Sequence, residues 1–133
     1  MKYVIPIASL TAHVNPLDGK MWNVSPINSS EVNQAVVDNN VDDRPWQEVK
    51  EYLERLPTND QREYHIKRIA WLVTNHCGNS AHPMGIAELP SGIGFVDGNH
   101  RAAAAIVRGD SEIELVVAIL GDVTAVFPGA QVA

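Results

Sequence analysis

Basic residues, cysteine and long apolar runs are all scarce in this chain, and each shortage removes a class of function. Ten Lys and Arg stand against 16 Asp and Glu, a formal net charge of −6. A surface that binds nucleic acid neutralises several phosphates with clustered positive charge, so DNA or RNA is not the expected partner. An enzyme or small-ligand binder suits the charge better. The densest basic pair, Lys67-Arg68, falls on a predicted helix that also carries Arg62 and Glu63, and it reads as a solvated face. A single cysteine, Cys77, closes no internal disulfide, in agreement with a reducing compartment. No stretch approaches the roughly 18 to 20 consecutive apolar residues of a membrane span, and the N-terminus lacks the apolar core of a signal peptide. The expectation is a cytoplasmic protein with no membrane partner. A length of 133 residues suits one domain with a core of its own.

What the chain does have is concentrated between Gly94 and Gly109. Ile93, Phe95 and Val96 are strand formers, and residues 102–107 are small, apolar and strongly helical. Between them lies a polar turn, Asp97-Gly98-Asn99-His100-Arg101. Gly98 can take a backbone conformation closed to other residues, Asn99 is a favoured N-cap, and Gly109 supplies a left-handed stop. A helix apolar on every face belongs inside a domain, so its N-terminus is held in one place. Its first N–H groups and the positive end of its dipole attract anions there. Arg101 adds a planar, permanently charged fork suited to phosphate, and His100 a further donor. A carboxylate beside such a site repels the anion unless it holds a cation, accepts a proton or orients the arginine, so Asp97 favours chemistry over passive binding. Turn chemistry alone accounts for Asp97, Gly98 and Asn99, with Arg101 then paired to Asp97 or to a distant acid. It does not account for His-Arg entering an apolar helix. The spacing fits neither a P-loop nor a dinucleotide fingerprint.

Asp97-Gly98-Asn99-His100-Arg101, followed by the Ala-rich helix, Gly109 and a strand over 113–120, resembles the phosphate-binding core of the ParB/sulfiredoxin-like superfamily. Ile5-Pro6-Ile7-Ala8-Ser9-Leu10 resembles its opening strand, and the helix containing residues 65–72 fits the segment before the core strands. The resemblance implies a cradle for nucleotide phosphates, which serves a CTP switch in partition proteins and ATP-dependent phosphoryl transfer in sulfiredoxins and a free-serine kinase. On that reading Gly98, Asn99, His100 and Arg101 bind the phosphates of a nucleoside triphosphate, ATP or CTP. Asp97, His100 and Arg101 are the candidate catalytic residues, and Asp97 is a ligand for magnesium. Asn99 stands where a sulfiredoxin places its reactive cysteine, so sulfinic acid reduction is not expected. The segment Ala12-His13-Val14-Asn15 lacks the acidic residue of the serine kinase pattern, which leaves Asp97 as base alone or with His13. The chain matches at most the N-terminal module of a partition protein. Two readings of other classes stay beside an ATPase or phosphotransferase: a catalytically silent switch or protein-interaction module, and a nuclease-like protein.

Elsewhere the pattern predicts a strand over 3–10, an edge or opening strand because of Pro6. A long loop follows over 11–28, of a kind that is often functional and suited to closing over a ligand. Within it Met21-Trp22 offers an aromatic for a base, although burial of Trp22 as an anchor is the simpler role. A short helix is expected over 31–37, then a polar loop whose acids miss the calcium-loop order. Trp46, Val49, Leu53 and Leu56 recur at helical spacing up to Pro57, with Trp46 in the core. A second helix begins at Thr58, with a capping box to Gln61 and Ile66, Ile69, Ala70 and Val73 on one face, and the two helices form a hairpin packed on the sheet. His76, Cys77 and His82 lack the second ligand pair of a zinc finger and read as a helix-ending loop. Strands over 86–89 and 93–96 pair across Pro90-Ser91-Gly92. The fold expected is α/β (α+β): a compact single domain with a small mixed sheet, helices packed on it, and a ligand site at the N-terminus of the helix over 99–108.

Overall fold

Period-two burial marks the central strand. Along β4, Glu112–Ala118, the side chains of Ile113, Leu115 and Val117 are buried while Glu112, Glu114 and Ala118 are exposed, as a sheet with one solvated face requires. The computed structural model describes residues 1–75 and 83–133. The fold is α/β, and among the described residues it comprises six α-helices and a five-stranded sheet of mixed sense. The chain divides into two units, Met1–Asn15 with Gly78–Ala133, and Pro16–Cys77.

The first unit holds the sheet. On one side of β4, β1 (Lys2–Pro6) runs antiparallel with Ile5 opposite Ile113, and β5 (Gln131–Val132) adds a short outer edge opposite Tyr3 and Val4. On the other side β2 (Gly85–Leu89) is parallel to β4 and forms an antiparallel hairpin with β3 (Gly92–Asp97), giving the order β3-β2-β4-β1-β5. The hairpin forms as its sequence predicts. The strand expected over 3–10 stops at Pro6, and Ile7–Thr11 coils into α1 instead. Pro6 lies opposite Glu112, the first residue of β4. Beyond it only the Ile7 N–H still reaches across, to the Ser111 carbonyl at 2.9 Å, and the chain then turns into helical bonds of its own. Nor is β1 an edge strand. Pro6 is accommodated because it is the last residue of β1, past the reach of β5.

After β3 the chain turns into α5 (Asn99–Arg108), then β4, a short helix α6 (Val123–Val126) and β5. The β-α-β order over this region holds, but β3 is antiparallel to β2 and β2 parallel to β4, so β3 and β4 run in opposite senses and the connection is not a parallel crossover. Neither α6 nor β5 was expected from the pattern. The α6 helix is set by Asp122, whose Oδ1 accepts from the Thr124 N–H at 3.0 Å and its hydroxyl at 2.8 Å. Ala102 and Ala105 of α5 pack with Ile5, Ile86, Phe95, Leu115 and Phe127 in one core. Four consecutive buried alanines, Ala102 to Ala105, let this helix approach its neighbours closely.

The second unit is helical. Its helices are α2 (Ser29–Val37), α3 (Trp46–Leu53) and α4 (Thr58–Thr74), with α2 packed on α4 through Val32 and Ala35. The capping box occurs at Asn28 and Glu31 at the start of α2, not at Thr58 and Gln61. Pro57 occupies the N-cap of α4, Thr58 is already helical, and the Gln61 amide donates to the Leu56 carbonyl at 3.0 Å. Trp46 packs against Val49, Leu53 and Tyr64, the core role expected of it. On α4, Ile66, Ile69 and Ala70 are buried as expected, and Tyr64, His65 and Leu72 join them.

Candidate functional site

The turn between β3 and α5 is built around Gly98. Its φ of 90° and ψ of 20° lie in the left-handed region, which a residue with a Cβ adopts only at a cost. Space forbids one as well. A Cβ at this position would collide with the Met84 side chain and lie 3.2 Å from the Met84 Cα. Gly98 is thus the N-cap of α5, and Asn99 is its first helical residue. The expectation that Asn99 caps the helix is corrected by this close pass, because only glycine fits the cap position. Met84 escaped the sequence reading. Gly98 signalled that some group comes close, but the pattern does not name a neighbour 14 residues earlier in the chain.

With glycine at the N-cap, no side chain caps the first turn. The first intrahelical bond runs from the Ala102 N–H to the Gly98 carbonyl at 2.9 Å, so the N–H groups of Asn99, His100 and Arg101 precede it. The Asn99 side chain does not turn back to them. Its Oδ1 is buried and finds no hydrogen-bond donor among the described residues, an uncommon condition for a buried polar atom. Arg101 Nη2 lies 3.9 Å from Asp97 Oδ1. That is an ion pair at its outer limit and too long for a hydrogen bond. The Arg101 side chain is 20% exposed and that of Asp97 51%. At the far end of α5 Gly109 takes the left-handed stop expected, with φ 80°.

The five residues singled out in the sequence therefore gather at one helix end. His13 does not join Asp97. Its ring stands edge-on to Phe127 with centroids 5.4 Å apart, and among the described residues it makes no hydrogen bond or ion pair with that acid. Trp22 is an anchor. It stacks on His65 in the second unit at 4.4 Å with planes 13° apart, and Trp46 and Tyr64 each lie 5.3 Å from the same imidazole. His65 is fully buried, and burial pulls its pKa down to about 4. His76, Cys77 and His82 lie outside the described residues.

Of the cations on α4, Lys67 pairs at the surface with exposed Glu63 at 3.9 Å, as a solvated face would have it, whereas Arg62 and Arg68 hold backbone carbonyls. Arg62 Nη2 donates to the Pro26 carbonyl at 2.7 Å and to Glu31 Oε2 at 2.6 Å, tying the end of the long loop to the start of α2. Arg68 donates to the Asp43 carbonyl at 2.8 Å and covers the Trp71 ring at 4.8 Å. The acidic loop is closed by its own arginine: Arg44 forms two bonds to the Asp42 carboxylate, at 3.0 and 2.7 Å. Arg44 accordingly holds the Asp42 pKa below the usual carboxylate value.

No protein-family model, no curated protein and no solved structure matches this chain. Its function has to be argued from the residues themselves. No helix among the described residues is long and apolar enough to cross a membrane.

Proposed function

We propose that the chain binds the phosphates of a nucleotide at Asp97-Gly98-Asn99-His100-Arg101, as its resemblance to the ParB/sulfiredoxin-like superfamily implies. One observation carries the reading: the N-cap of α5 is Gly98, so no side chain caps its first turn. A helix end in this condition presents N–H groups and a positive dipole to an anion. The Asn99 amide donates to a phosphate only through Nδ2, while its Oδ1 accepts and suits a donor such as a nucleotide hydroxyl or amino group. Arg101 supplies full charge on the same turn, 3.9 Å from Asp97.

Phosphoryl transfer or hydrolysis extends this reading. An acceptor hydroxyl or water bonds to the terminal phosphorus while the bond to the bridging oxygen breaks, and the nucleoside diphosphate leaves with the electron pair. Arg101 and the α5 N–H groups stabilise charge on the transferring oxygens. Asp97 takes the acceptor's proton. Among the described residues no three His, Cys, Asp or Glu side chains gather to hold a metal ion. In the alternative role, in place of accepting that proton, Asp97 would hold magnesium together with the phosphates themselves, the usual mode for that ion. The chemistry magnesium supplies when bound is charge neutralisation on the phosphates.

The test is unfolding temperature with ATP, ADP, CTP, GTP and AMP, with and without magnesium. A ligand at 100 times its dissociation constant stabilises a fold by about 2.7 kcal/mol, a shift of several degrees. The expected result is a shift with at least one nucleotide that disappears in Arg101→Ala. No shift with any of them overturns the proposal. Asp97→Asn then separates an enzyme, which loses turnover and keeps binding, from a silent switch, which has no turnover to lose.

A further inference from the structure

We draw no further inference here: the strongest candidate, the outward face of the sheet at its β3 edge, where Val96 stands 62% exposed beside the Ala87–Gly94 pair, carries nothing because nothing in the structure shows what covers it.

Discussion

Two single residues carry tests that do not depend on knowing a ligand. Gly98→Ala places a methyl group against Met84 and a side chain in left-handed backbone. Strain and overpacking together cost at least about 2 kcal/mol. Chemical denaturation checks this, and an unchanged midpoint would mean that the turn relaxes without loss. His65 ties stability to pH. Its pKa is about 4 in the folded protein against 6.5 for the model group, so the unfolded chain takes the proton first. The stabilisation is complete above pH 6.5, falls as pH drops toward 4, and is flat below. At about 1.4 kcal/mol per pKa unit the full loss is roughly 3 to 4 kcal/mol. Unfolding midpoints measured from pH 7 to 4 should show this slope in the wild type and lose much of it in His65→Phe. A slope of equal size in both proteins would assign it to other groups. The sequence shows His65 only as one helical residue among others. Beside its neighbour Tyr64, its burial follows from the rings of Trp22 in the long loop and Trp46 in α3, which no local pattern connects to it.

At the scale of elements, the hairpin and the helix on either side of the turn owe their position to the core beneath them. Phe95, 1% exposed on β3, packs with the buried face of α5. Phe95→Ala should cost about 3 to 5 kcal/mol and broaden the amide signals of the 97–101 turn, read by denaturation and NMR. Local signals were sufficient for α5 itself: glycine on both flanks, four alanines and an apolar interior. They were not sufficient for its cap, because Gly98 and Asn99 both suit that position and only the nearness of Met84 decides between them. In the helical unit Arg62 links Ser25, Pro26 and Glu31. Arg62→Ala returns these solvent-accessible acceptors to water and should lower stability by about 0.5 to 1.5 kcal/mol, with faster amide exchange over 25–31. Protection unchanged there would show that the loop is held by other means.

For the molecule as a whole the acidic charge sets the expected partners. With a net charge of −6, labelled duplex DNA should show no association even at about 50 mM salt, where phosphate contacts are strong. Binding that weakens steeply with salt would favour the nuclease-like reading over a free nucleotide. Composition and periodicity were enough to place the chain in the α/β class, to locate the β2–β3 hairpin and α5, and to gather the five residues of the turn, because glycine, alanine and β-branched side chains act on the backbone beside them. What needed tertiary structure was every choice between equally good local options. The end of β1 depends on where β4 begins, since a strand lasts only as long as its ladder. The parallel pairing of β2 with β4 sets β3 apart from β4 although they flank the same helix. Arg62 and Arg68 read as solvent-facing cations until the carbonyls they hold come from residues 25 to 37 positions earlier. Sequence fixes conformation over a turn or two, where backbone sterics dominate, whereas the partners of a polar side chain are set by contacts between distant segments.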